Sequence, residues 1–266
     1  MALPDIHSFW TGPRLGPLEQ LCLASFAERG HRVFLHSYQP YELPAGVNAI
    51  DARELAPDGP GLVYRRNGSP ALFADLYRLL IQKAGLGIWA DTDVFALRPL
   101  AVPGPYLIPA ERRADGSVLA TNALLKLPAD SAILAEILGY FADFRRALPL
   151  VSPRRRLKFR LKALVVKDFG LAHMPWGLTG PIALAHLVDR LGLWDQRGPD
   201  YAELFAAEGP GLFDPAFAVD DSRGRTVHFI HSQLPPGAAE TPRPGSFYAR
   251  CVTEAGARTP FFRART

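Results

Sequence analysis

The 266-residue sequence predicts an α/β protein whose mostly parallel sheet is flanked by helices in a single domain. Three observations predict it. Strand and helix patterns alternate through the first hundred residues. The helix pattern at residues 69–85 carries start and stop signals at both ends. A short apolar run then ends in Asp91 and Asp93, and open α/β sheets bind ligands beyond the carboxyl ends of their strands.

The elements follow in order. "DIHSFW" reads as a first strand, "LGPLEQLCLASFAERG" as a helix closed by Gly30, "HRVFLHSY" as a second strand and "VNAIDA" as a third. In "SPALFADLYRLLIQKAG", Ser69 is an N-cap, Pro70 the first helical residue and Gly85 the stop. "GIWA" is the strand that delivers the aspartates. The second half predicts a strand near "VLATNALLKL", a helix from Ser131 to Arg146, a helix after "LTGP" and a late strand "TVHFIHS". The Gly/Pro-rich stretch at 234–246 lies too near the end to separate domains.

Composition narrows the class. Hydrophobic residues make up 48% of the chain, ample for a packed core. The two cysteines, Cys22 and Cys251, fit neither a metal spacing nor a disulfide framework, so both are expected as thiols in a cytoplasmic protein. No signal peptide or membrane span is legible. The net charge of +4 suits an anionic partner, and much of the excess lies in "SPRRRLKFRLKALVVK". There Leu157, Leu161, Leu164 and Val165 keep helical spacing, with Arg155, Arg156, Lys158, Arg160 and Lys162 elsewhere on the wheel. Residues 154–167 are thus expected either to face solvent or to make a peripheral contact with an anionic membrane at its inner face. No aromatic-interleaved or zinc-linked motif points to nucleic acid.

Two like charges two residues apart converge if the chain stays extended through Thr92, and a divalent cation would then remove their repulsion. Oxygen ligands favour Mg²⁺ or Mn²⁺. On the preceding helix, Leu72, Phe73, Leu76, Tyr77, Leu79, Leu80 and Ile81 cover more than half the circumference, so the helix is expected to be buried. Asp75, Arg78 and Gln82 share the remaining stripe. A charged pair there must be mutually paired or must line a polar cavity.

"SPALFADLYRLLIQKAGLGIWADTDVFALRPL" resembles the sugar-binding region of the DxD glycosyltransferases, a group that includes mannosyltransferases, α-1,4-galactosyltransferases and bacterial capsular polysaccharide transferases. The matching positions are Asp75 and Arg78, the Leu86–Gly87 turn, Trp89, and Asp91–Thr92–Asp93–Val94. Leu86 stands where the family has a first glycine, and Trp89 where it has tyrosine. "IHSFWTG" is similar to the family's opening strand, which implies that Trp10 stacks on the uracil of the donor. "ATNALLKLP" and "WGLTGPIALAHLV" resemble further segments and add Asn122 and Gly180. "TVHFIHSQL" resembles the closing motif and makes His228 the third metal ligand, with His231 its competitor.

The resemblance implies a GT-A-type, Rossmann-like fold over residues 1–266, with a nucleotide-sugar-binding half at 1–100 and an acceptor-side half at 101–266. It implies transfer from a UDP-sugar to a hydroxyl of a glycan or lipid-linked acceptor, with retention of configuration and Mn²⁺ or Mg²⁺ as cofactor. Asp91 and Asp93 are then the catalytic metal-binding pair, and Trp10, Asp75, Arg78, Trp89, Thr92, Asn122 and Gly180 the donor contacts. A haloacid-dehalogenase-type phosphatase is the rival, with Asp91 as nucleophile and Asp220–Asp221 as the later acidic pair. A degenerate nucleotide-sugar- or glycan-binding protein is the non-enzyme alternative.

Overall fold

The structure, a computed structural model, describes residues 2–59 and 61–264. Its first strands and helices are β1 (Ile6–Trp10), α1 (Pro17–Glu28), β2 (Val33–Ser37), β3 (Val47–Asp51), α2 (Ala71–Lys83), β4 (Ile88–Ala90) and β5 (Val94–Ala96). Next come β6 (Ala110–Arg112), β7 (Val118–Ala120), β8 (Leu124–Leu125), α3 (Ala132–Ala142), α4 (Pro153–Val165) and α5 (Pro181–Arg190). The last are α6 (Tyr201–Leu204), β9 (Phe205–Glu208), β10 (Thr226–His228), α7 (Phe247–Ala255) and α8 (Pro260–Arg263). Two compact units are drawn from interleaved segments. One comprises Met1–Ala52, Gly87–Pro103 and Pro199–Thr266, and the other Arg53–Leu86 and Gly104–Gly198. Both units draw on both sides of residue 100.

In the first unit, β3, β2, β1 and β4 lie side by side in that order and every pairing is parallel. The mixed α/β class with a mostly parallel central sheet is therefore observed as expected. Strand β1 is central, so both its faces are covered and its first four residues are buried. Edge strand β3 is largely exposed. The order reverses between β1 and β4, which makes their carboxyl ends, at Trp10 and Ala90, the topological switch point. Gly87 permits this pairing, because a Cβ there would stand 2.5 Å from the carbonyl oxygen of Asp5 at the entry to β1.

A second sheet in this unit sets β10 between antiparallel β5 and parallel β9. Its core joins Leu18, Leu21 and Cys22 of α1 to Phe95, Val227, Phe229, Tyr248 and Cys251. Tyr248 stacks on Phe213 at 4.3 Å and meets Phe229 edge-on at 5.5 Å. Both cysteines are free and buried, and burial pushes both thiols up from their ordinary range.

The second unit holds α2 to α5 and the β6–β7 hairpin. Helix α2 buries Leu72, Phe73, Tyr77, Leu79 and Ile81, and with them the polar stripe of Asp75, Arg78 and Gln82. It starts one residue later than the caps predict. Pro70 is the N-cap, while the Ser69 hydroxyl accepts the Ala71 N–H at 3.3 Å.

Two other expectations change. The strand near Asn122 breaks into β7 and β8, because Thr121 Oγ1 accepts the Ala123 N–H and turns the chain. The helix from Ser131 ends at Ala142 rather than Arg146. Asp143 turns extended, and its carboxylate caps a following 3₁₀ segment by accepting the Arg145 N–H at 3.0 Å. Among the described residues no helix is long and apolar enough to cross a membrane.

Candidate active site

The aspartates do not sit on a continuous strand. Strand β4 ends at Ala90, and a turn closed by the Val94 N–H on the Asp91 carbonyl (3.1 Å) leads into β5. The turn, rather than extended alternation, brings the carboxylates together. Thr92 is buried within it. Strand β10 then pairs His228 with Val94, and the Phe229 N–H donates to the Asp93 carbonyl at 3.0 Å. One ligand atom each from Asp91, Asp93 and His228 consequently lies within 4.8 Å of the other two.

Each member of the trio is held from behind. Trp89 Nε1 donates to Asp91 Oδ1 at 2.6 Å. Asp93 Oδ2 accepts the His231 backbone N–H at 2.8 Å, and Asp93 Oδ1 is 3.4 Å from His228 Nε2. His228 Nδ1 lies 3.0 Å from Glu208 Oε1. A carboxylate behind a histidine fixes the ring and leaves Nε2 to the site, the arrangement that surrounds metal-ligating histidines.

The electrostatics follow from this packing. Burial alone would raise the Asp93 pKa, but the His228 charge and the bonds from His228 and the His231 N–H outweigh it and hold Asp93 down to about 2. Burial would lower His228, yet Asp93 and Glu208 push it up to about 10. Each partner thus favours the charged form of the other. Two carboxylates and an imidazole nitrogen within 4.8 Å of one another are a donor set that could hold a divalent metal ion.

His231 serves differently from His228. Its ring pairs with Glu19, a buried carboxylate in the first turn of α1, and this bond raises its pKa. Ile230 makes the separation possible by adopting φ +51°, a left-handed conformation that a β-branched residue rarely takes. Backbone strain of this kind costs about 1–3 kcal/mol and clusters at functional sites.

Trp10 closes β1 at the switch point. Its Nε1 donates to the Arg14 carbonyl at 2.8 Å, and its ring is 6.1 Å from that of His231. A Cβ at Gly12 would stand 2.8 Å from the indole, so "WTG" requires the glycine. Trp10, Glu19, His231, Leu234, Pro236 and Glu240 line a cavity of about 410 Å³. Trp89, by contrast, is buried, and its only polar atom faces Asp91.

In the second unit, Asp75, Arg78, Asn122 and Gly180 form one buried network. Asp75 Oδ1 accepts from Asn122 Nδ2 at 2.9 Å, and Arg78 lies 3.6 Å away on the same oxygen. Arg78 Nη1 donates to the Asn122 carbonyl at 2.5 Å. A Cβ at Gly180 would stand 2.3 Å from Asn122 Nδ2 and 3.2 Å from Asp75 Oδ1. Burial raises the Asp75 pKa, offset in part by Arg78 and by the bonds from Thr179 and Asn122.

Sequence reasoning missed three members of these clusters. Thr179 Oγ1 donates to Asp75 Oδ2 at 2.8 Å. Glu208 and Glu19 back the two histidines. No motif marks Glu208. Only the parallel β9–β10 register, which sets it opposite His228, identifies it. The acidic pair at 220–221 is engaged elsewhere: Asp220 accepts the Ser222 N–H at 3.0 Å, and Asp221 pairs with Arg250.

No protein-family model matches the sequence, and no curated protein matches it. Among solved structures the chain is similar to PaToxG Glycosyltransferase, at 17% identity and a TM-score of 0.44. That likeness covers 72% of this chain and 73% of the other.

Proposed function

We propose that the chain is a glycosyltransferase that moves a sugar from a UDP-sugar to a hydroxyl of a glycan or lipid-linked acceptor, with the whole chain acting as one catalytic domain. One observation carries the reading: Asp91, Asp93 and His228 converge at the carboxyl end of β4, at the switch point that Trp10 flanks. Asp91, Asp93 and His228 would hold Mn²⁺ or Mg²⁺. When bound, the ion neutralises the diphosphate that leaves with the nucleotide.

The chain's own residues have separable tasks. Trp10 offers an indole face on which a uracil can stack, since base stacking on tryptophan needs no sequence-specific hydrogen bonds. Trp89 and the His231 N–H fix the two carboxylates, and Glu208 fixes the His228 ring. Such backing preorganises the charge of the site before substrate arrives. Asp75, Arg78, Asn122, Thr92 and Gly180 are assigned to the donor sugar, and retention of configuration is assigned with them. These assignments rest on the sequence resemblance.

The test is UDP release from a panel of UDP-sugars in Mn²⁺. At least one donor should be turned over, and Asp91→Asn and Asp93→Asn should each reduce the rate by 100-fold or more, about 2.7 kcal/mol. Inorganic phosphate release with a phosphate adduct on Asp91 would instead establish the phosphatase chemistry.

A further inference from the structure

Helix α4 turns one basic face to a cavity of about 680 Å³. Arg155, Phe159 and Lys162, spaced at i, i+4 and i+7, share that face. Phe159 is buried and packs on Phe169 at a ring-centroid distance of 5.9 Å, whereas Leu157, Leu161 and Leu164 stand exposed on the opposite side of the helix. The loop at 64–69 supplies another part of the wall. It is closed by the Tyr64 N–H on the Ser69 carbonyl (3.0 Å) and the Gly68 N–H on the Tyr64 carbonyl (2.8 Å), and the Arg65 N–H ties it to the Ala172 carbonyl at 2.8 Å. Backbone bonds thus fix the loop and leave its arginine side chains to the cavity.

Arg65, Arg66, Arg155 and Lys162 line this one concavity with no carboxylate among them, and none of the four makes an ion pair among the described residues. A cleft lined by charge of one sign concentrates its field and draws counter-ions. Phe159 and Trp176 complete an aromatic part of the lining, and Trp176 is 63% exposed, so its indole is open to a ring. The volume exceeds what a single small ion needs and falls in the range of small-molecule sites. Tyr64 joins the cavity to the buried Asp75 network. Its hydroxyl accepts the Gly177 N–H at 3.3 Å and bonds to Thr179, whose own hydroxyl donates to Asp75.

We propose that this cavity is an acceptor subsite for a phosphorylated saccharide, with the phosphoryl group among the four cations and the sugar ring against Trp176. A phosphate monoester suits four cations better than a carboxylate does, because it carries a charge of about −1.5 to −2 at neutral pH and offers three acceptor oxygens. Guanidinium groups match those oxygens two at a time. Naming the subsite as the acceptor's rests on the glycosyltransferase reading, through the link from Tyr64 to Asp75, which that reading assigns to the donor sugar. Binding of the sugar phosphate rests on the cavity alone.

The experiment titrates the full chain calorimetrically with the 6-phosphates of glucose, mannose and galactose, with the parent hexoses and with inorganic phosphate. EDTA is present and nucleotide is omitted, so the result is separate from that of the UDP-release assay. At least one sugar phosphate is expected to bind, inorganic phosphate about tenfold more weakly, and the parent hexose not measurably. Arg65→Gln and Arg66→Gln should each weaken the sugar phosphate about tenfold, the effect of one lost charge-assisted hydrogen bond, while the melting temperature stays unchanged. Arg160→Gln, on α4 but off the cavity lining, should leave the affinity as it is. Fluorescence should change on binding in the wild type and not in Trp176→Phe. Four outcomes overturn the proposal: no binding by any of the sugar phosphates, equal binding of a sugar phosphate and its parent hexose, inorganic phosphate binding as tightly as the esters, or a loss at Arg160→Gln that matches those at Arg65 and Arg66.

Discussion

At the residue scale the site is a lesson in support. Asp91, Asp93 and His228 are exposed enough to take a ligand, and each is oriented by a partner. Trp89 is the sharpest case, because a fully packed indole spends its one N–H on Asp91. Removing such a backing bond typically costs 10–100-fold in metal affinity. Trp89→Phe is therefore expected to weaken Mn²⁺ binding by about tenfold or more in calorimetric titration, while the folded state persists. Unchanged affinity would reduce Trp89 to a core side chain. The motif itself, Asp-x-Asp after an aromatic, was legible in the sequence. The Trp89 bond to Asp91 was not, since no local pattern shows where an indole N–H points. Glu208 was illegible for a different reason: a lone acid before Gly209 has no pattern until strand pairing sets it beside His228.

At the scale of elements, the periodicity of α2 foretold both its burial and its polar stripe, because 3.6-residue repetition is a local property. The partners of that stripe lie 47 and 104 residues away, at Asn122 and Thr179, and no local rule reaches so far. The same limit explains the broken strand at β7–β8 and the early end of α3, each decided by one side chain capping the backbone. Thr179→Val keeps the volume and deletes the hydroxyl on a buried carboxylate oxygen. It is expected to cost about 1–3 kcal/mol in urea denaturation, the penalty for a buried polar atom left unpaired. A loss below 0.5 kcal/mol, roughly the level of a neutral surface change, would mean that Asp75 does not depend on Thr179.

At the scale of the whole molecule, two buried histidines make stability depend on pH in the acid range. Burial, reinforced by neighbouring His7, lowers His36 from 6.5 to about 3, and burial lowers His31 too. A depressed histidine stays neutral in the fold while the unfolded chain takes up a proton below 6.5. Stability therefore falls with pH from 6.5 downwards until the folded group itself protonates. For one such group the slope approaches about 1.4 kcal/mol per pH unit. His36→Gln should reduce the slope between pH 5.5 and 4 by about that amount, whatever it does to stability at pH 7. Asp93 acts lower, losing its contribution as pH falls from 3.8 through about 2. His228 acts at the other end, its contribution present below 6.5 and lost as pH rises through about 10.

If the Asp91–Asp93–His228 cluster binds a nucleoside diphosphate through a divalent ion, UDP stabilises the fold only together with the metal. The thermal shift produced by UDP with Mn²⁺ and with EDTA measures this. At a hundredfold excess over Kd, a ligand that binds only the folded state adds about 2.7 kcal/mol. A clear rise in Tm is expected with UDP and Mn²⁺ together and almost none with UDP in EDTA. An equal rise under both conditions would contradict it.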